Sequence, residues 1–234
     1  MYFFVCFALL VVSCSAQVQS SGADAICKTR NAYLNVDGNC DSYIECRDYH
    51  AINKECPDGL HYNADVKWPN YPCGYPADVP CNGRSIIQMA RSTHDCPHQF
   101  GFFPSPKNSP TDCGHYLMCA DGKPNEMYCP TGLAFNLAVS RCDWPENVPS
   151  CKASEFLGFT CPPAMYDQDG YPVVTNHKYE QSCYAFFMCI SGNARLLSCD
   201  PGFAFDPISS RCLDEDLVAC DNKMTPYSLN ARVA

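Results

Sequence analysis

Cysteine spacing limits what this chain can fold into more than any other feature. Of the 20 cysteines, Cys6 and Cys14 stand apart, and the other eighteen fall into three sets of six. The sets are Cys27, Cys40, Cys46, Cys56, Cys73, Cys81; then Cys96, Cys113, Cys119, Cys129, Cys142, Cys151; then Cys161, Cys183, Cys189, Cys199, Cys212, Cys220. The residues between successive cysteines number 12-5-9-16-7, 16-5-9-12-8 and 21-5-9-12-7. An invariant 5-9 centre with adjustable outer gaps is the signature of one small domain repeated three times. Each copy is too small to fold securely on buried apolar area alone. Six cysteines per copy supply the missing constraint, at about 2–4 kcal/mol per disulfide. They allow 15 pairings, among which spacing does not choose.

Other residues keep the same frame. The 5-residue gaps read CDSYIEC, CGHYLMC and CYAFFMC, with an aromatic third in each: Tyr43, Tyr116 and Phe186. After each fourth cysteine come CPDGLHYN, CPTGLAFN and CDPGFAFD. Gly59, Gly132 and Gly202 fall where a short polar segment needs a turn with positive φ. The aromatics three residues on are Tyr62, Phe135 and Phe205. The 9-residue gaps read as hairpins, on Asp121-Gly122 in the second copy, Ser191-Gly192 in the third and the weaker Asp48-Tyr49-His50 in the first. The expected fold class is small, disulfide-rich and mostly β, as three tandem six-cysteine domains of short antiparallel sheets and hairpins. Expected bounds are 24–83, 93–153 and 158–222, followed by a disordered tail at 223–234.

The first sixteen residues, MYFFVCFALLVVSCSA, read as a secretory signal peptide (1–16). The apolar run is too short to span a bilayer as a helix, and no membrane association is expected after its removal. Dense cysteine in an exported chain means disulfides rather than thiols. A zinc protein would want CxxC pairs or Cys/His clusters, and the sequence has no CxxC and six scattered histidines. No metal and no cofactor are expected. The net charge of −9, with no basic cluster, argues against nucleic acid as a partner. No catalytic motif stands out, and the repeats leave too little chain for a catalytic barrel, so no enzyme is expected.

Alternation along a strand puts Ile44 with Cys46, Leu117 with Cys119 and Phe187 with Cys189 on the disulfide face. Tyr43, Tyr116 and Phe186 then take the opposite face, together with Glu45, and are expected to be exposed. Aromatic rings fixed on a strand suit stacking on the C–H faces of sugars, each burying apolar area at about 25 cal/mol per Å². Three such sites on short linkers would gain by effective concentration. Tyr62, Phe135 and Phe205, and Trp68 and Trp144 near the fifth cysteines, are further candidates. Packing inside the domain competes with binding at each of them.

The frame C…C-x5-C-x9-C-P-x-G-[LF]-x-[YF]-[ND]…C…C resembles the peritrophin-A (type 2, carbohydrate-binding module family 14) chitin-binding domain. Three copies behind a signal peptide are similar to the obstructor family of three-domain arthropod cuticular proteins. The resemblance implies chitin, poly-N-acetylglucosamine, as ligand, an extracellular, cuticular location, and fibre organisation rather than catalysis. It implies first-to-third, second-to-sixth and fourth-to-fifth pairing. That gives Cys27–Cys46, Cys40–Cys81 and Cys56–Cys73; Cys96–Cys119, Cys113–Cys151 and Cys129–Cys142; and Cys161–Cys189, Cys183–Cys220 and Cys199–Cys212.

The third copy departs from the pattern: it lacks Trp and carries Asp214, Glu215 and Asp216 instead, which would favour partly deacetylated, cationic chitin. The first copy moves its Trp ahead of the fifth cysteine. Two other readings share the cysteine frame. One is a gut peritrophic-matrix lining protein, disfavoured by the lack of sequons and of Ser/Thr-rich linkers. The other is a secreted module that binds matrix proteins without chitin affinity.

Overall fold

A computed structural model describes residues 26–220. The expected signal peptide and tail lie outside the described residues. Within them the chain forms three modules with one plan. The first has β1 (Asn31–Asn35), β2 (Ser42–Arg47) and β3 (His50–Glu55) in a three-stranded antiparallel sheet, then the small hairpin β4 (His61–Tyr62) and β5 (Cys73–Gly74). The second repeats this with β6 (Gly101–Pro104), β7 (His115–Ala120), β8 (Lys123–Tyr128), β9 (Ala134–Asn136) and β10 (Arg141–Asp143). A short helix, α1 (Ala153–Leu157), leads to the third, with β11 (Thr175–Lys178), β12 (Ala185–Ile190), β13 (Asn193–Ser198), β14 (Phe203–Asp206) and β15 (Arg211–Asp214).

The 9-residue gap is a two-residue hairpin in every module. Its register pairs Arg47 with His50, Ala120 with Lys123 and Ile190 with Asn193. Both turn residues have positive φ each time: Asp48 and Tyr49, Asp121 and Gly122, Ser191 and Gly192. This is the type I′ geometry that matches strand twist. The weaker signal in the first module therefore gives the same turn, with a tyrosine where the others have glycine.

The C-P-x-G segments also form one turn each. Gly59, Gly132 and Gly202 have φ of +95°, +89° and +88°. The turn delivers the small hairpin onto the second cysteine, whose carbonyl accepts from the aromatic's N–H: Tyr62 to Cys40, Phe135 to Cys113 and Phe205 to Cys183, at 2.7–2.8 Å. Asn63, Asn136 and Asp206 then accept from the N–H two residues on and turn the hairpin tip. Nine disulfides join the pairs named above, first to third, second to sixth and fourth to fifth in each set.

The linkers are ordered parts of the fold. Between the first two modules the buried Asp58 carboxylate accepts from the backbone N–H groups of Arg91 and Gln99 and bonds His98 Nδ1 at 2.7 Å. Phe100 packs on the first module's core, and its N–H donates to the Asp58 carbonyl. Between the second and third modules Arg195 pairs with Glu146 at 2.7 Å. Leu157 and Phe159 pack with Leu196 on the third core.

Candidate functional site

The two aromatics in each repeat meet face to face. Tyr43 stacks on Tyr62 with ring centroids 4.9 Å apart, Tyr116 on Phe135 at 4.2 Å, and Phe186 on Phe205 at 4.9 Å, all within 12° of parallel. The central strand supplies one ring and the small hairpin the other. In the first module the Cys56–Cys73 disulfide packs in the same cluster as the stack, while Cys46, bridged to Cys27, lies on the other face of the strand.

The expected exposure of the strand aromatics is corrected by this packing. Tyr43 is 7% exposed and Tyr62 1%; Phe135 and Phe205 are also buried. Tyr116 and Phe186 are half-buried. Glu45, taken as a sign of an open face, is itself buried and bonded to Arg47 at 2.8 Å, with Lys54 at 3.9 Å. Burial, and then the Glu45 charge, push the Tyr43 phenol up to about 12.

The tryptophans separate. Trp68 is 41% exposed on the long loop ahead of Cys73, and Tyr71 on the same loop is 62% exposed. Trp144 is half-buried at the junction of the second and third modules, with the Arg195 guanidinium 5.1 Å from its ring centroid. It is held by packing there, and that stacking takes up its cation-accepting face. At the position of Trp144 the third module has Asp214, whose side chain accepts from the Asp216 N–H. Asp214, Glu215 and Asp216 are all exposed.

Beside Tyr43 lies a groove of about 470 Å³, lined also by Val36, Asn39, Ser42, Asn53, Lys54 and Glu55. Two carboxamides, a hydroxyl, an ammonium and a carboxylate can bond the hydroxyl and acetamido groups of a sugar, with only the edge of the buried Tyr43 ring beside them. Spacing alone did not pick out Asn39, Asn53 or Tyr71. The unusual length of the fourth gap in the first module was the one available signal for Tyr71. Cys40, His61 and Cys81 come close enough to suggest a metal triad. The two cysteines form a disulfide and His61 Nδ1 lies 2.8 Å from the Val79 carbonyl, so they offer no thiolates.

Comparison with known families decides what kind of module this is. Residues 27–81, 96–151 and 172–220 each match the Chitin binding Peritrophin-A domain. The chain belongs to this family. Its relatives include protein obstructor-E of Drosophila melanogaster, 36% identical over 80% of this chain and 77% of that protein. Chondroitin proteoglycan 2 of Caenorhabditis briggsae is 27% identical over 77% of this chain and 39% of that protein. Peritrophin-1 of Anopheles gambiae is 32% identical over 46% of this chain and 71% of that protein. In this peritrophin-A chain the third match begins at residue 172, so the Tyr-rich stretch after Cys161 lies outside it.

Proposed function

We propose that this chain is a secreted, non-catalytic protein that binds chitin in an extracellular matrix such as cuticle and organises its fibres through three rigidly stapled modules. The observation that supports this reading is the peritrophin-A match in all three modules, together with the same disulfide pairing and the same aromatic stack in each. The first module is the principal sugar-binding unit. It combines an exposed Trp68 and Tyr71 with the polar groove beside Tyr43. Tyr62, Tyr116, Phe135, Phe186 and Phe205 contribute by shaping the platform, and Trp144 by joining modules. Partly deacetylated chitin is the form that the exposed Asp214, Glu215 and Asp216 would attract.

Retention on chitin beads tests the reading. Oxidised protein should be held, and a Trp68→Ala, Tyr71→Ala variant should bind roughly tenfold more weakly with its circular dichroism unchanged. Alanine at Tyr43 is unsuitable for this test, since it removes half of a core stack. Equal retention of the double variant would move the site off this loop. A native chain that does not bind would overturn the chitin reading.

A further inference from the structure

Two modules carry an insertion in the shared cysteine frame, and both insertions hold an exposed tyrosine followed by a proline. The fourth gap of the first module has 16 residues against 12 in the other two, and it contains Trp68-Pro69-Asn70-Tyr71-Pro72. The first gap of the third module has 21 residues against 12 and 16, and it contains Tyr166-Asp167-Gln168-Asp169-Gly170-Tyr171-Pro172. Tyr166 is 61% exposed and Tyr171 68%, as open as Tyr71. The proline behind each tyrosine packs inward: Pro72 is fully buried and Pro172 half-buried. The second module has neither insertion, and it exposes no aromatic ring among the described residues.

The segment in the third module is an ordered hairpin. The Asp167 N–H donates to the Tyr171 carbonyl at 2.9 Å, and the Val173 N–H to the Met165 carbonyl at 2.8 Å. At the tip the Asp167 side chain accepts from the N–H groups of Asp169 and Tyr171, at 3.0 and 2.9 Å. Gly170 turns the chain with φ of +83°. The second arm runs through Val174 into β11, which pairs with β12, so the hairpin is rooted in the main sheet of its module. Tyr166 lies opposite Pro172, which sets the faces. Alternation puts Tyr166 and Pro172 on one face and Met165, Asp167, Tyr171 and Val173 on the other. Met165 and Val173 are exposed as well. Rings held in place this way lose little freedom when a ligand arrives.

Neither face has the area for a protein partner. Each offers two or three apolar side chains, far short of the roughly 800 Å² per partner that a stable protein interface buries. That is the scale of a sugar ring, whose C–H face can stack on a fixed aromatic while its polar groups meet carboxylates. The hairpin has Asp167 and Asp169 and no cation, which suits hydroxyl, amide and amine donors.

We propose that the hairpin at 163–174 is a second sugar platform, on which Tyr171 and, on the opposite face, Tyr166 stack on N-acetylglucosamine or glucosamine units of the polymer. This rests on chitin as the ligand and adds a site to it. Most of the hairpin, Tyr166 included, precedes the third family match, which begins at residue 172. With Trp68 and Tyr71 on the first module, the chain then has platforms on two modules, which reinforce each other on a polymer surface.

Two measurements on the oxidised chain without residues 1–16 test this: retention on chitin beads, and nitration by tetranitromethane read by peptide mass. Tyr166→Ala, Tyr171→Ala should weaken retention about fivefold while keeping all nine disulfides by mass and an unchanged circular dichroism. Combined with Trp68→Ala, Tyr71→Ala, it should weaken retention more than either pair alone. A soluble hexamer of N-acetylglucosamine should slow nitration of Tyr166 and Tyr171 in the native chain and leave the exposed Tyr49 unaffected. A retained native chain whose hairpin variant is retained equally, and whose Tyr166 and Tyr171 nitrate at the same rate with the hexamer, overturns the inference while the chitin reading stands. A native chain that is not retained at all overturns both. Self-association of the native chain in sedimentation, lost in the hairpin variant while bead retention is unchanged, makes the hairpin a contact between copies and likewise overturns it.

Discussion

The first and third modules share a cysteine frame, a sheet, a hairpin and an aromatic stack, yet they meet their surroundings differently. The first presents Trp68 and Tyr71 on an enlarged loop and has its C-P-D-G turn clasped by the following residues. The third presents Ile208 on a short tip, and a Cβ on the glycine of its C-D-P-G turn would meet nothing within 4 Å among the described residues. What the repeats hold in common is therefore the scaffold. What distinguishes them is carried by loops and by single positions next to invariant ones: Asp58 against Pro201, Leu60 against Phe203, Tyr49 against Gly192.

The largest effect should come where the modules are alike. Tyr62→Ala and Phe205→Ala each delete a fully buried ring from the stack and should cost roughly 3–5 kcal/mol in their own module. Denaturant unfolding, read with limited proteolysis to assign the module, checks this. If Phe205→Ala were far milder than Tyr62→Ala, the stack would not be the shared core.

Asp58 should break the likeness at the next level down. Its carboxylate is buried and accepts three hydrogen bonds from the segment that follows, so Asp58→Ala should cost about 1–3 kcal/mol. It should also loosen the first module from the second, seen as a larger radius of gyration in X-ray scattering. Pro201→Ala, its counterpart, should change neither. Burial alone would raise the Asp58 carboxyl. The His98 bond, the N–H groups of Arg91 and Gln99 and the His98 charge outweigh it and hold the group below its usual value. The clasp is then fully present above the ordinary carboxylate range and is lost as pH falls through the lowered value, so the junction should open only below about pH 4.

These positions show which parts of the molecule were legible in the sequence. The repeat, the two-residue hairpins and the glycine turns are encoded within nine or ten residues of each cysteine, and local spacing exposes them. The orientation of Tyr43 was not legible. Strand alternation separates the two faces correctly but does not say what covers the second one, and the cover is Tyr62, brought round by a turn from beyond the fourth cysteine. Glu45 misled for a related reason, since a buried carboxylate flanked by Arg47 and Lys54 looks like a surface residue until its partners are placed. Trp144 was ambiguous in sequence because its partner, Arg195, lies in another module. The glycine at the turn was recognisable as a backbone requirement, whereas the closeness of Gly59 to Phe100 and of Gly132 to Leu196 left no trace in spacing.

The smallest effect sharpens the comparison most cleanly, because it touches the backbone alone. Tyr49 and Gly192 occupy the second position of equivalent type I′ turns, at φ +69° and +82°. A side chain in this left-handed region costs about 1–2 kcal/mol. Replacing Tyr49 by glycine removes that strain but adds freedom to the unfolded chain, worth about 0.5–1 kcal/mol against folding. Tyr49→Gly should therefore stabilise the first module by at most about 1 kcal/mol, raising its melting temperature by several degrees. The Tyr49 N–H bond to the Arg30 carbonyl and the Arg30–Asp48 pair do not need the ring and should persist. The reverse change, Gly192→Tyr, meets open space, so its cost is the backbone strain less the unfolded-state gain, of the same size and opposite sign. Matched shifts of opposite sign would show that the two hairpins are one device with different residues. If Tyr49→Gly destabilised instead, the half-exposed tyrosine ring would have to contribute packing that outweighs its strained backbone.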